Sequence, residues 1–477
     1  MKGDLRRILI AGAGEAGRMV AAEIGLHGEF GAVVAGFIDD DPLLRGTSVA
    51  SAPVLGSTAE LEEVVRGNAI DEVIIAVPTA PGRFVRNMIR RCGKAGVPYK
   101  IVPGVMEIIK GDVRIDQIRE VRVEDLLGRE TVAFDVESAR KSFAGKRILV
   151  TGAGGSIGSE LCRQLARVDP AELVLLGRGE NRIFDIEDEL RSSHLGVRLR
   201  TVIANLVDAP RTDRLTKELA PQIVFHAAAH KHVHYMERDP EEAVINNVGG
   251  SVNIIDASAR HGVEKFVFIS TDKAADPNGV MGASKRIVEM YLQVMEPGPC
   301  RFMTVRFGNV IGSAGSVVPL FIRQIGRGGP VTVSDPEATR YFMTVKEAAF
   351  LVIRSAIIGA GGETFILDMG EAVNIYEMAR DIIILTGHEP GDEIPLEITG
   401  LREGEKLHET LAGRAERLVP SADGRIFLAK QASGAPPDLK ARIAGMMAAA
   451  KEGRRGDLIL AMSGIIPGFA ARGESNR

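Results

Sequence analysis

The chain has 477 residues, with 45% hydrophobic and 26% charged side chains and a formal net charge of -4 at pH 7. A chain of this length usually folds around more than one hydrophobic core, so we expect two domains, and the composition excludes a mainly disordered protein. The weak negative charge disfavours nucleic acid as a partner, because any phosphate must then be held by a local site rather than by a basic surface.

The first predicted element is an apolar strand that runs into a glycine-rich turn and then a helix. The turn carries Gly12, Gly14 and Gly17, which allow a pyrophosphate to approach backbone N–H groups at a helix N-terminus. Asp39 and Asp40 follow the next apolar segment, where an acid can lie near a ribose. Further strands of this half are predicted at Val33–Ile38 and Glu72–Val77. We predict a Rossmann-like fold and weigh nucleotide binding equally against a structural or regulatory role.

A charged connector over residues 111–145 separates the two halves of the chain. We place the boundary near residue 135, which gives an N-terminal domain with its linker at 1–135 and a catalytic domain at 136–477. Strands of the second half are predicted at Arg147–Val150, Glu172–Leu176, Arg198–Ile203, Ile223–His226, Lys265–Ser270 and Arg301–Arg306. Helix-length segments separate them, so we predict an α/β protein with two Rossmann-like, doubly wound domains.

The second glycine-rich turn, TGAGGSIG, has the GxxGxxG spacing of the short-chain dehydrogenases, which this half resembles. The residues of this turn and of the helix start are Gly152, Gly155, Ser156, Ile157 and Gly158. Other residues fall where that group lines its cofactor, namely Arg178, Asn205, Leu206, Ala227, Ala228, Asn247 and Lys285. The resemblance implies a bound nicotinamide dinucleotide, either NADP or NAD.

One helix departs from the usual pattern of that group. Ordinary members have a tyrosine four residues before a lysine, a spacing that turns both side chains to one helix face. This chain has Met281 and Lys285 instead. Because methionine cannot donate or accept a catalytic proton, the group that removes the proton from a sugar hydroxyl must come from elsewhere.

Five segments narrow the resemblance to one family. They read KHVHYMERDPEEAVINNVGG, STDKAADPNGVMGASK, RFGNVIGSAGSVVPLF, DPEATRYFMTVKEA and LREGEKLHE. Together they resemble the long UDP-N-acetylglucosamine 4,6-dehydratases of bacterial polysaccharide biosynthesis, and the resemblance covers nearly the whole chain. That family includes a form with methionine at the place of Met281. The second domain is then an extended short-chain dehydrogenase fold with a C-terminal substrate-binding lobe.

The family chemistry implies roles for particular residues. The nicotinamide takes a hydride from C4 of the sugar, water leaves across C5 and C6, and the hydride returns to C6. The resemblance assigns the C5 base to Lys273 and the C6 acid to Asp272, while Thr271 bonds the C4 hydroxyl. Lys285 would hold the nicotinamide ribose. To act as a base, Lys273 must be neutral. We therefore expect its pKa to be lowered by burial or by nearby positive charge such as that of Lys285.

Substrate binding requires cations and amides that can hold a nucleoside diphosphate. Within the matched motifs, the candidates are Lys231, Asn309, Arg340 and Arg402, together with Thr271 and with Glu405 for the nucleoside ribose. For the cofactor, Gly177 and Arg178 occupy the place where an acid commonly selects NAD, which favours NADP slightly. Glu180 could instead swing in and restore the preference for NAD. Asn205 would accept from the adenine amine.

The remaining expectations concern partners and location. We expect a UDP-sugar as substrate, a homo-oligomer, and no membrane span in this chain, hence a cytoplasmic protein. Longer relatives carry transmembrane helices ahead of this region, so this is either a short natural form or one without its membrane part. The three cysteines form no CxxC pair, so we expect free thiols and no metal site. The alternatives are a sugar-nucleotide 4-epimerase and a catalytically silent nucleotide-binding assembly protein.

Overall fold

The computed structural model describes residues 5–26, 31–102, 118–127, 135–194, 196–296, 298–313, 315–431, 434–466 and 468–469. It divides into two compact units. The first unit is drawn from residues 1–133, 317–336 and 373–399, and the second from 134–316, 337–372 and 400–477. The predicted boundary at residue 135 lies close to the first break between the units. Much of the predicted connector, at 111–117 and 128–134, lies outside the described residues.

The N-terminal part of the first unit is a six-stranded sheet covered by helices. Its strands are β1 (Arg6–Ala11), β2 (Ala32–Ile38), β3 (Ser48–Val49), β4 (Ala52–Gly56), β5 (Glu72–Ile75) and β6 (Tyr99–Ile101). Its helices are α1 (Glu15–Leu26), α2 (Leu61–Gly67) and α3 (Gly82–Ala95). The strand order is β3-β4-β2-β1-β5-β6, parallel except where β3 pairs with β4. This alternation of strands and helices confirms the predicted Rossmann-like fold of the first half.

From residue 135 onward the chain continues to alternate. The strands are β7 (Arg147–Thr151), β8 (Glu172–Gly177), β9 (Leu199–Ile203), β10 (Ile223–His226), β11 (Lys265–Ile269), β12 (Arg301–Arg306), β13 (Asn309–Ile311), β14 (Val331–Val333), β15 (Thr339–Arg340), β16 (Phe342–Thr344), β17 (Thr364–Leu367), β18 (Val373–Asn374), β19 (Leu396–Ile398), β20 (Glu416–Pro420) and β21 (Ile426–Gln431). The helices are α4 (Val136–Phe143), α5 (Ser156–Leu165), α6 (Glu180–Ser193), α7 (Ala209–Leu219), α8 (Val233–Arg238), α9 (Pro240–Glu242), α10 (Gly250–Arg260), α11 (Val280–Gln293), α12 (Val317–Ile325), α13 (Val345–Ile358), α14 (Ile375–Leu385), α15 (Leu439–Lys451) and α16 (Arg455–Ile465). Every predicted strand is present, and its ends move by no more than two residues.

The second unit is built on a nine-stranded sheet in the order β20-β21-β17-β12-β11-β10-β7-β8-β9. The strands run parallel except at the β21 edge, where β17 and β20 both pair antiparallel with β21. The strand order reverses at β7, which lies between β8 and β10. In open parallel sheets, ligands bind in the crevice outside the carboxyl ends of the strands at such a reversal. The fold therefore directs attention to the loops that follow β7, β10 and β11.

Five later elements, α12, β14, β18, α14 and β19, belong to the first unit. Helix α14 is joined to α3 by ion pairs, because Arg90 donates to Asp381 at 2.7 Å and to Glu377 at 2.6 Å. By sequence these elements fall in the predicted catalytic half. The interpretation of that half as one domain with its own C-terminal lobe remains a prediction.

Helix α11 of the second unit is anchored by a buried ionic network. The Arg306 guanidinium is fully buried and donates to Glu289 at 2.5 and 2.7 Å and to Glu416 at 2.6 and 3.0 Å. Burial would raise the pKa of Glu289, but the Arg306 charge outweighs burial and holds that pKa below its usual range. The network thus joins α11 to strands β12 and β20.

Replacing Arg306 by methionine should lower the free energy of unfolding of the second unit by about 3–5 kcal/mol, because two buried carboxylates lose their partner. The midpoint of chemical denaturation measures this loss. The matched control is Arg191→Met, which removes an exposed helix pair with Glu187 and should cost less than about 1 kcal/mol. Equal losses in the two variants would contradict the structural role of the network.

Candidate active site

The glycine-rich turn after β7 packs directly against the end of β10. Gly152 has φ +70°, and a Cβ there would lie 2.7 Å from the backbone N of Ala228. A Cβ on Gly158 would lie 2.1 Å from the Gly152 carbonyl oxygen. Only glycine fits both positions, because any side chain would push the turn away from the sheet. Helix α5 begins at Ser156, so its first N–H groups follow this turn.

This arrangement fits the diphosphate of a dinucleotide. The backbone of the turn lies at the reversal of strand order, where a helix N-terminus favours negative charge. Ala227 N donates to the Thr151 carbonyl at 3.0 Å, which fixes the end of β10 beside the turn. The residues present therefore match the cofactor that the glycine spacing implies.

The other predicted cofactor residues have varied surroundings. Asn247 is fully buried, and its side chain donates to the His230 carbonyl at 3.0 Å and to Ser284 Oγ at 3.1 Å. Asn205 accepts from Val207 N at 3.2 Å, and the Leu206 side chain packs in the hydrophobic core. Asn247 thus holds the loop after β10 against α11, whereas Leu206 offers a ligand only its backbone.

Arg178 is half-exposed at the end of β8 and has two neighbours. Its guanidinium lies 3.0 Å from His230 Nε2 and 3.6 Å from Glu242 Oε1. A carboxylate beside Arg178 would repel a 2′-phosphate, so this geometry weakens the argument for NADP. The choice between NADP and NAD remains a prediction.

Lys285 and Met281 lie on α11, and both are buried. Lys285 Nζ donates to the Ile269 carbonyl at 2.8 Å and lies 4.5 Å from the centre of the Phe268 ring. Burial lowers the pKa of Lys285 to about 7, although Glu289 acts in the opposite direction. Met281 is 2% exposed and packs in the hydrophobic core. Its side chain offers no group for proton transfer.

The predicted catalytic triplet forms a tight turn after β11. Thr271 Oγ1 donates to Asp272 Oδ1 at 2.9 Å, and Lys273 Nζ donates to the same oxygen at 3.1 Å. Asp272 is 1% exposed, and its second oxygen, Oδ2, has no hydrogen-bond partner among the described residues. A buried acid in direct contact with a lysine is a suitable pair for moving protons.

The charge state of Lys273 differs from the sequence-based expectation. Burial lowers the pKa of Lys273, but the carboxylates of Asp272 and Glu409 outweigh burial, so this pKa lies above its usual range. Lys273 Nζ also donates to Asn309 Oδ1 at 3.1 Å and lies 3.6 Å from Glu409 Oε1. The expected lowering was wrong, because two carboxylates lie beside Lys273. Of Lys273 and Lys285, it is Lys285 whose pKa is lowered.

The predicted substrate residues are brought together only in part. Asn309 contacts Lys273, and Arg340 Nε lies 4.0 Å from Glu409 Oε1. Lys231 Nζ donates to Ser313 Oγ at 3.2 Å. Arg402 and Glu405 form one turn, in which the Arg402 backbone N–H donates to Glu405 Oε2 at 3.2 Å. The roles of these residues remain predictions.

Two buried acids were not singled out from the sequence. Glu409, which is 6% exposed, ends the LREGEKLHE segment. Glu237 lies in the KHVHYMERDPEE segment and accepts from Val280 N at 2.6 Å, which caps the start of α11. Burial raises the pKa of Glu237 to about 7. Both stood inside the motifs that carry the family resemblance, and that position was the only signal for them. Lys273 and Glu409 face a common cavity. Its lining consists of Val233, Lys273, Asn278, Gly279, Gly282, Gly404, Lys406 and Glu409.

Among the described residues, no helix is long and apolar enough to cross a membrane, and no group of acids, histidines and cysteines is arranged for a metal. One solved structure, "X-ray structure of Pen from Bacillus thuringiensis", is similar to 61% of this chain and 89% of its own, with a TM-score of 0.56 and 32% sequence identity. That likeness agrees with the extended dehydrogenase fold of the second half.

Three relatives bear on function. The "Probable polysaccharide biosynthesis protein EpsC" of Bacillus subtilis is 42% identical over 91% of this chain and 73% of its own length. A "UDP-N-acetylglucosamine 4,6-dehydratase (inverting)" of Campylobacter jejuni is 31% identical over 56% of this chain and 78% of its own. A "UDP-glucose 4-epimerase" of Rickettsia prowazekii is also 31% identical, over 56% and 78%. The chain is therefore related to sugar-nucleotide dehydratases and epimerases.

Two family models match, one in each half of the chain. A CoA-binding domain matches residues 2–103. The polysaccharide biosynthesis protein family matches residues 148–431, which include both the glycine-rich turn and the Thr271–Lys273 triplet. This match spans more than half of the sequence. The chain belongs to the polysaccharide biosynthesis protein family.

Proposed function

We propose that the chain is a UDP-N-acetylglucosamine 4,6-dehydratase that makes a 4-keto-6-deoxy sugar nucleotide for surface polysaccharide or glycan synthesis. The observation that carries the proposal is the contact between the buried Asp272 carboxylate and Lys273 at the end of β11. Dehydration requires an acid and a base at adjacent carbons, and these neighbouring side chains supply both.

The contact also supplies a route to the required proton states. If a proton passes over the 3.1 Å from Lys273 Nζ to Asp272 Oδ1, the pair becomes a neutral amine and a carboxylic acid. The amine then removes the C5 proton, and the acid protonates the departing C6 hydroxyl. A low-dielectric site favours this neutral form once the surroundings of the pair are dry, because separated charges are costly there. Thr271 would bond the C4 oxygen.

We further propose that the second unit binds a nicotinamide dinucleotide, NADP or NAD. When bound, this group supplies the hydride acceptor for C4 and the donor for C6. The turn of Gly152, Gly155 and Gly158 would hold its diphosphate, and Lys285 would hold its nicotinamide ribose. The lowered pKa of Lys285 places that lysine near the change between charged and neutral forms at neutral pH.

Two further points follow from the relatives. Resemblance to the methionine-bearing form of the family implies a product with retained configuration at C5, whereas the dehydratase from Campylobacter jejuni is described as inverting. Product stereochemistry therefore separates the two forms of the family. For the first unit, the match to a CoA-binding domain favours nucleotide binding over a purely structural role.

The rival function is that of a sugar-nucleotide 4-epimerase. The Rickettsia prowazekii relative, which is named as a UDP-glucose 4-epimerase, supports this rival. An epimerase returns the hydride to C4 and needs no proton transfer at C5 or C6. An epimerase would use the Asp272–Lys273 pair at most as a base for the C4 hydroxyl, so an acid beside that base would have no further role. This pairing favours dehydration.

The purified protein should convert UDP-N-acetylglucosamine to a product lighter by one water, with no net consumption of nicotinamide. Mass spectrometry of the product measures the loss of water, and NMR of the reaction in deuterated water reports the C5 configuration. A product of unchanged mass with an inverted C4 would support the epimerase instead. No change in any UDP-sugar would favour a silent binding protein.

Replacing Asp272 by asparagine should lower kcat by about 100-fold or more, because the amide cannot donate a proton to the departing hydroxyl. Steady-state turnover of UDP-N-acetylglucosamine measures the effect. The matched control is Asp276→Asn, which makes the same change at an exposed position of the same loop and should turn over like the unmodified protein. Turnover that survives in Asp272→Asn would count against the proposed acid.

Replacing Gly152 by alanine should remove most of the nicotinamide that copurifies with the protein, because the added Cβ would press on the backbone of Ala228. Absorbance and mass analysis of the released nucleotide measure its amount and distinguish NADP from NAD. Gly196→Ala is the control, since a Cβ there meets no atom within 4 Å. Full nicotinamide content in Gly152→Ala would contradict the proposed cofactor turn.

A further inference from the structure

Glu409 is a second buried acid beside the proposed base. Its Oε1 lies 3.6 Å from Lys273 Nζ, and the residue is 6% exposed. Its other oxygen, Oε2, is buried and has no hydrogen-bond partner among the described residues. A buried carboxylate oxygen without a partner is costly, so its presence calls for a reason beyond stability.

The charged groups around Lys273 come from three parts of the second unit. Asp272 is its chain neighbour, Arg340 lies 4.0 Å from Glu409, and Lys406 lines the same cavity. Lys406 Nζ donates a hydrogen bond to the Ala275 carbonyl at 2.8 Å. Of these groups only Asp272 and Glu409 are acids. The ammonium of Lys273 therefore lies between two carboxylates, with the Asn309 oxygen as a further acceptor.

The two acids cannot have the same role in dehydration. Asp272 must carry a proton if it is to protonate the C6 hydroxyl, and in that form it offers Lys273 no negative charge. Lys273 gains a positive charge in the same step, when it removes the C5 proton. Among the acids that contact Lys273 in the described structure, Glu409 alone is left to balance the new charge.

We infer that Glu409 is a positioning residue that orients Lys273 and stabilises the positive charge that forms on its Nζ. The inference rests on the proposed function. In the step concerned, the C5–H bond breaks, an Nζ–H bond forms, and the electron pair becomes the C5–C6 double bond. The C6 hydroxyl then leaves as water with the proton of Asp272. A base that is oriented and stabilised by a neighbouring buried carboxylate recurs in enzymes that transfer protons.

The surroundings of Lys273 agree with this role. The carboxylates of Asp272 and Glu409 keep the pKa of Lys273 above its usual range although burial acts in the opposite direction. Removing the Glu409 charge should therefore lower that pKa and weaken the base. In a plot of kcat against pH, the limb that reports deprotonation of Lys273 should then move to lower pH.

The test uses the full chain with UDP-N-acetylglucosamine and compares Glu409→Gln with the unmodified protein. Exchange of the C5 hydrogen with deuterated water and kcat should both fall by about 10- to 1,000-fold, with little change in KM. The limb of the kcat profile should move to lower pH by about 1 to 3 pH units. The matched control is Glu403→Gln, an exposed change in the same loop, which should leave both readouts unchanged.

An unchanged kcat in Glu409→Gln, or a lower kcat with an unmoved pH limb, would overturn the inference. If Glu409→Gln does not fold, Glu409→Asp decides, because it keeps the charge but draws it back from Lys273. Its kcat should fall while the pH limb stays near that of the unmodified protein, and a full kcat would overturn the inference. If the unmodified protein forms no dehydrated product, the proposed function fails and this inference fails with it.

Discussion

The buried guanidinium of Arg306 is the interaction on which the active-site geometry depends. It joins Glu289 of α11 to Glu416 of β20, and Ser270, which immediately precedes the proposed catalytic triplet, donates to the same Glu289 at 2.6 Å. The helix that carries Lys285 and the loop that carries Lys273 are therefore fixed to one charged centre. A buried ion pair contributes little net stability, but removing one partner is costly, so the network constrains position more than it stabilises.

The buried Lys285 and the partly buried Lys273 lie in opposite electrostatic surroundings. Lys285 contacts a carbonyl oxygen and an aromatic ring, so burial dominates and lowers its pKa. Lys273 contacts carboxylates, so it remains charged. The proposed reaction needs one lysine that exchanges a proton with an acid and another that holds the cofactor. The surroundings of Lys273 suit the first role, and those of Lys285 suit the second. Neighbouring groups, rather than residue type, set the difference.

Position 281 holds a methionine where ordinary members of the short-chain dehydrogenase group have a tyrosine. A buried methionine keeps α11 packed but transfers no proton. In the proposed reaction, the proton handling belongs to the turn after β11, where Glu409 lies beside Lys273. Relatives named as dehydratases and as epimerases are equally similar to the chain, so overall likeness does not choose between them. The grouping of these acids around one lysine is what favours dehydration.

The sequence by itself determined the two Rossmann-like sheets, the ends of the strands predicted with bounds to within two residues, and the placement of Thr271–Lys273 after a strand. These features follow from local patterns, because apolar periodicity and glycine spacing act over a few neighbouring residues. Only the tertiary structure decided that Glu409 lies beside Lys273 and that Lys273 is the more basic of the two lysines. It also decided that Glu242 lies beside Arg178. These contacts join segments distant in the chain, and their effect on charge depends on burial and on distances that local patterns do not contain.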